Sequence, residues 1–179
     1  MLGAALPAPF DTPPIWVNGP LILYHGTLAT HAANIKTVGV NPLLGRPGTD
    51  FGRGFYTTTV EGQAKSWAWL LATASTVGGS VGTAGAVVRL EVDRDALAQL
   101  DSIGFIRGDY DAEDFWSLVF HCRGGAPGHA RPGAAYYDVV YGPVASFWMQ
   151  RNVMNGRDQI SFHSSACMPI LAVTGVSPV

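Results

Sequence analysis

The sequence predicts an α+β domain. Six stretches carry strand chemistry, helical periodicities lie between some of them without regular β-α alternation, and no internal repeat runs through the chain. With 47% hydrophobic and 13% charged residues over 179 positions, there is apolar material for one real core and too little charge for a disordered chain. We expect a single domain over residues 19–179, preceded by a Pro-rich N-terminal arm at residues 1–18. That arm has no basic start before a long apolar run, so it does not read as a signal peptide. Its Pro/Ala content suits a linker, as if the domain ended or was cut from a longer protein.

In order, residues 16–18 form a short edge segment. Leu21 to His25 is a buried strand, opened by Gly-Pro and closed by Gly26. Thr27 or Thr30 caps a following helix with Ala32, Ala33, Ile35 and Val38 at helical spacing, and Gly39 ends it. Residues 41–50 hold Pro42, Gly45, Pro47 and Gly48 and form a loop. Phe55 to Thr59 is a strand. A helix over residues 60–73 turns Ala64, Trp67, Ala68 and Leu71 to the core. Residues 78–85 are a glycine loop, and residues 86–92 a strand. Asp93 or Asp95 caps a short helix through Leu100. The acidic stretch from Asp109 to Asp114 suits the start of a helix over residues 112–122, because the helix dipole favours negative charge there, with Trp116, Val119 and Phe120 as its buried stripe. A Gly/Pro loop spans 124–133. Tyr136 to Val144 is a strand ended by Gly142-Pro143. Residues 145–155 are read as a helix. Residues 157–163 form a strand with Gln159, Ser161 and His163 on one face and Ile160 and Phe162 on the other. A last strand covers residues 170–176.

Several function classes drop out. The net charge of −2 and the lack of a basic run give no nucleic-acid footprint. Cys122 and Cys167 lie far apart without CxxC spacing, which argues against a disulfide framework or structural zinc and is compatible with a reducing compartment. His121, His129 and His163 lack metal-ligand spacing, so no metal is expected. The longest uncharged stretch, residues 66–88, is broken by glycines and does not span a membrane. There is no Gly-Lys-Ser/Thr phosphate loop and no Gly-x-Ser-x-Gly elbow.

Two strand ends stand out. Asp50-Phe51-Gly52-Arg53-Gly54-Phe55-Tyr56-Thr57-Thr58 delivers a tyrosine onto a strand through a loop with two glycines, which admit close backbone approach. Leu23-Tyr24-His25-Gly26-Thr27 is an apolar strand ending in His-Gly-Thr. Together with Asn34, Gly39, Gln63-Ala64, Trp67, the run Tyr137 to Pro143 and the run Asp158 to Phe162, these residues resemble the catalytic core of the ADP-ribosyltransferase superfamily. The closer branch is the one with a His-Tyr-Glu signature, which includes poly-ADP-ribose polymerases and diphtheria toxin; bacterial or fungal members are the expected kin. The resemblance spans residues 21–162, densest in the first half.

The resemblance implies two small mixed or antiparallel sheets with flanking helices around an NAD cleft, with NAD as substrate and no metal. Cleavage of the nicotinamide–ribose bond passes through an oxocarbenium-like state, so the site must hold the ribose and face a growing positive charge. By resemblance, His25 bonds a ribose hydroxyl, Gly26 pairs through its backbone with the nicotinamide carboxamide, and Thr27 adds a hydroxyl contact. Tyr56 stacks on the cationic nicotinamide, a contact worth about 0.5–2 kcal/mol. Phe55 adjoins it, Trp67 corresponds to a second aromatic wall, and Arg53 or Arg46 meets the pyrophosphate. Gln159 stands where the family carries its catalytic Glu. The expected catalytic set is His25, Tyr56 and Gln159.

Gln in place of Glu offers no full negative charge, which argues against chain elongation. No Glu-x-Glu pair or Ser-Thr-Ser strand marks the arginine-modifying branch. The implied activity is single ADP-ribose transfer, as in an effector or toxin acting on a host protein, with NAD hydrolysis or silent NAD binding as alternatives. The acceptor stays open among protein side chains, ubiquitin, nucleic acid and small molecules. A monomer is expected, either cytoplasmic or exported without a classical signal.

Overall fold

Two small sheets meet at one point, and the candidate site lies where they meet. The structure, a computed structural model, describes residues 19–77, 84–105 and 112–179. The expected N-terminal arm with its edge segment, most of the glycine loop and residues 109–111 of the acidic stretch fall outside the described residues. In the first sheet, β1 (Leu21–Leu28) pairs antiparallel with β3 (Gly85–Val92), Leu21 opposite Val92 and Leu28 opposite Gly85. β7 (Leu171–Pro178) lies antiparallel on the other side of β3. The second sheet has the order β2-β6-β5-β4, with β2 (Phe55–Thr57), β4 (Ser102–Gly104), β5 (Val139–Phe147) and β6 (Asn152–Phe162). Its pairs are antiparallel except β4 against β5. The chain is thus α+β with two small mixed or antiparallel sheets, as its sequence predicts.

Tyr24 and Thr58 join the sheets by exchanging both backbone hydrogen bonds, each at 2.9 Å. Between the sheets, Leu23, Val88 and Leu90 face Phe55, Ile160 and Phe162, and α1 (Ala29–Val38) adds Ala32. On the outer face of the first sheet, α2 (Glu61–Val77) sets Ala64 and Ala68 against Val87. On the outer face of the second, α4 (Glu113–Arg123) lays Phe115, Trp116 and Val119 against Val140. β3, through Val88 and Val87, and β5, through Val139 and Val140, thus each divide their side chains between two apolar layers, as period-2 alternation requires. Asp93 caps the short helix α3 (Arg94–Leu97) by accepting from the Ala96 amide at 2.8 Å.

Several local expectations are corrected. Neither Thr27 nor Thr30 caps α1: β1 continues through Leu28, which sits at the N-cap without a side-chain bond, so strand pairing overrides cap preference. Trp67 and Phe120 do not turn inward but are 56% and 37% exposed, because small Ala64 and Ala68 already seat α2 and Phe115 with Trp116 already fills the layer under α4. Gly142-Pro143 does not end β5. The partner strand β4 reaches only Tyr141, and beyond it no strand among the described residues pairs with that edge of β5, so the missing proline N–H has no ladder bond to make there. Residues 145–155 are not a helix: β5 runs to Phe147, a 3-10 turn follows at Trp148–Gln150, left-handed Arg151 reverses the chain, and β6 starts at Asn152. Strand β4, with only three residues, carries no readable period in the sequence.

Gly26 fixes how closely α2 approaches β1. A Cβ there would stand 2.0 Å from the Ala64 carbonyl oxygen. We expect Gly26→Ala to cost about 1–3 kcal/mol of stability, the usual range for overpacking a closed contact. Urea unfolding measures it; an unchanged midpoint would mean that α2 is not seated on this glycine.

Candidate functional site

The loop leading into β2 is held from three sides by buried rings. Its successive carbonyls at Phe51, Gly52 and Arg53 each accept a hydrogen bond from a different ring: from His129 Nε2–H at 2.8 Å, from the Tyr56 hydroxyl at 2.7 Å and from His163 Nδ1–H at 2.7 Å, with Thr49 Oγ1 also on the Gly52 carbonyl. The Tyr56 oxygen in turn accepts from Thr49 Oγ1 at 2.7 Å and from the Phe51 amide at 3.0 Å. Gly52 takes φ +74°, and a Cβ on Gly54 would lie 2.7 Å from both the Phe162 carbonyl and His163 Nδ1. Both glycines of the motif are therefore required by the loop itself. Burial pushes the Tyr56 phenol pKa up, so the hydroxyl stays neutral and serves as a latch on the loop.

His25 comes from β1 to this same place. Its Nδ1–H donates to the Tyr56 carbonyl at 2.7 Å, and its ring lies over Phe55 with centroids 4.3 Å apart. A carbonyl only accepts, so this bond fixes the tautomer and leaves Nε2 as an acceptor. Burial holds the imidazole pKa below its usual value, which keeps the ring neutral. Along β1, Tyr24 directs its backbone groups to Thr58 and not to Arg89 opposite. Antiparallel alternation then turns the N–H and C=O of Gly26 away from β3 as well, to the free edge beside β2. That edge offers one donor and one acceptor side by side.

Gln159, 7% exposed on β6, shares the face of Tyr56 through Ser161, which stands opposite Tyr56 in the pairing register. Its Nε2 donates to Asp50 Oδ2 at 2.7 Å and to the Pro143 carbonyl at 2.9 Å. Asp50 lies one residue before the clamped carbonyls. Its other oxygen receives Arg123 Nε at 2.9 Å and Nη2 at 2.6 Å, and Oδ2 also receives the Ala145 amide at 2.8 Å. The neighbouring Asp158 is tied to Thr58 and Thr59 by its side chain and to Gln63 of α2 by its backbone, the Gln63 Nε2–H to carbonyl bond being 2.7 Å.

His25, Tyr56 and Gln159 are therefore parts of one connected network. Gly26 borders it, Thr27 is buried in the β1–β3 pairing, and Arg53 projects an exposed guanidinium from the clamped loop. Phe55 belongs to the core layer, because alternation along β2 sends it to the face opposite Tyr56. Trp67 stands exposed on α2. Two shallow grooves lie elsewhere, one along Lys65, Trp69 and Leu70 and one beside Arg94, Leu97 and Tyr141. Asp50, Arg123, His129 and His163 were not singled out as site residues from sequence; only Asp50, at the head of the FGRGFY run, gave a local signal. Both cysteines are free and buried, and among the described residues no cluster of three or more metal-binding side chains occurs. No helix among them is long and apolar enough to cross a membrane.

These features define an α+β protein whose polar site sits at the junction of two sheets. The chain belongs to a family described as protein of unknown function (DUF3990), whose model matches residues 21–155. The match begins with β1, takes in His25, Gly26, Arg53, Tyr56 and Trp67, and ends four residues before Gln159. No curated protein matches the chain.

The buried histidines make stability pH-dependent. Burial lowers the His163 pKa to about 3 and holds His129 below its ordinary value. Between about 3 and the unfolded value of 6.5 the unfolded chain binds protons that the native chain refuses, so stability falls as pH falls, by up to about 1.4 kcal/mol per pH unit for one such group. Thermal unfolding followed across this window should show the decline, and His163→Gln should flatten it. An equally steep profile in His163→Gln would remove His163 from the account.

Proposed function

We propose that this chain is an NAD-dependent mono-ADP-ribosyltransferase. The observation that carries the reading is the 2.7 Å bond from His25 to the Tyr56 backbone, which brings an imidazole acceptor and a free strand edge at Gly26 beside the strand that carries Tyr56. A carboxamide has one acceptor oxygen and one amino donor, the complement of the Gly26 edge. Nicotinamide seated there would offer its cationic ring to Tyr56. The neutral His25 Nε2 would accept from a ribose hydroxyl, and the Gln159 amide from a second one. Arg53 is exposed where a pyrophosphate could reach it.

In this reading the bond between ribose C1′ and the nicotinamide nitrogen breaks, and its electron pair passes to the ring and neutralises the pyridinium. The resulting oxocarbenium is captured by an acceptor nucleophile, which gives up its proton to solvent. The residues contribute by holding the dinucleotide bent and its ribose fixed. The acceptor we favour is a protein, with the domain acting as an effector or toxin on a host target. A second reading, NAD or ADP-ribose binding without turnover, is favoured by one observation: Gln159 brings no negative charge to the ribose.

Incubation with labelled NAD and a cell lysate tests the proposal. Labelled macromolecule and free nicotinamide are expected. Free ADP-ribose alone would make the protein a hydrolase, and binding in a calorimeter without NAD consumption would establish the silent reading. His25→Ala and Tyr56→Ala should each lower turnover by at least about tenfold, a loss of about 1.4 kcal/mol in transition-state stabilisation. Tyr56→Phe keeps the ring and should retain more activity than Tyr56→Ala while losing stability at the loop. Unaltered turnover in both alanine variants would remove the assignment.

A further inference from the structure

The Gln159 amide is held in one orientation. Its two N–H hydrogens point at groups that cannot donate: the Asp50 carboxylate, 2.7 Å away, and the Pro143 carbonyl, 2.9 Å away. Asp50 is itself 3% exposed and receives N–H bonds from Arg123, Ala145 and Gln159, so it stands as an acceptor on every side. If the amide were flipped, Oε1 would face a carboxylate and a carbonyl with no hydrogen between them. The amino group is therefore committed inward. Oε1 has no partner among the described residues, and it is not sealed from solvent, since no buried side-chain oxygen or nitrogen goes unbonded there.

We propose that Asp50 is a positioning residue that makes position 159 an amide by necessity and presents its Oε1, an acceptor only, to the ligand. Gln159 is then no worn-down glutamate. A carboxylate in its place would set two anionic groups about as close as the present 2.7 Å contact, with the Pro143 carbonyl adding to the repulsion. The ligand group that fits Oε1 is a hydroxyl or N–H donor, and on the NAD reading, on which this last step rests, a ribose hydroxyl.

The sign of the pH effect follows. A like charge raises the pKa of a carboxyl. Gln159→Glu should therefore be least stable relative to the native protein at about pH 8, and the deficit should shrink toward pH 5.5 as the new carboxyl takes a proton and donates it to Asp50. Thermal midpoints of unliganded Gln159→Glu, Gln159→Leu and the double variant Asp50→Asn/Gln159→Glu, each compared with native protein at the same pH, make the test. We expect a pH-dependent deficit in Gln159→Glu, a deficit without that dependence in Gln159→Leu, and a midpoint for the double variant above that of Gln159→Glu alone at the higher pH. Should Gln159→Glu fold only at the lower pH, that too supports the proposal. Equal deficits at both pH values, or no gain in the double variant, would overturn it.

NAD titration of the same proteins separates the two claims. Affinity should drop by at least about tenfold in Gln159→Glu at the higher pH and recover in part at the lower one. If native protein does not bind NAD while the midpoints behave as expected, the NAD reading fails and the role of Asp50 stands. If native protein binds NAD and Gln159→Glu binds equally well at both pH values, the role of Asp50 fails and the NAD reading stands.

Discussion

Three consecutive backbone carbonyls, at Phe51, Gly52 and Arg53, are each capped by a hydrogen bond from a different buried ring. Much of the site depends on that constraint. A loop with two glycines would otherwise sample many conformations, and an unbonded carbonyl in this interior would cost about 1–3 kcal/mol. His129, Tyr56 and His163 instead fix the path of the chain, and the path fixes Asp50 at one end and Phe55-Tyr56 at the other. Because each ring nitrogen that donates must carry its proton, and burial keeps the rings neutral, the tautomers of both clamp histidines are set as well.

From the clamp, two lines of positioning run outward. One passes through the Tyr56 carbonyl to His25 and so to the Gly26 edge, where the sheets part beyond the Tyr24–Thr58 bridge. The other passes through Asp50 to Gln159 and Arg123. Residues of β1, β2 and β6 are thereby tied to one loop. Tyr56 has a double part in this: its hydroxyl is spent on the loop, and on the proposed reading its ring face is what it offers a ligand.

Local sequence made some of this readable and long-range pairing hid the rest. The strands at Leu21 and Phe55 and the alternation of Gln159, Ser161 and His163 against Ile160 and Phe162 showed in composition and period, and the Asp93 cap showed in residue type. The His-Gly-Thr and Phe-Gly-Arg-Gly-Phe-Tyr segments point to two strand ends that lie together, and in the structure His25 bonds to the Tyr56 carbonyl. What failed were judgements that depend on a distant partner. Pro143 reads as a strand end until β4 is known to stop at Tyr141. Residues 145–155 read as a helix until β5 and β6 are seen to divide them around a 3-10 turn. Trp67 and Phe120 read as core because they sit near the apolar flank of their helices, yet smaller or better-placed neighbours fill those layers first. Arg123, His129 and His163 bond to the loop across 73 to 110 positions of sequence, distances at which no local pattern survives.

The central proposal is that the free edge of β1 at Gly26 seats a nicotinamide carboxamide. Amide-resolved NMR during titration with NAD, and separately with nicotinamide, tests it most directly. The account predicts that the Gly26 amide shifts saturably with both ligands, together with signals from Tyr56 and the clamped loop. Saturable shifts confined to other parts of the molecule, or none at all, would contradict it.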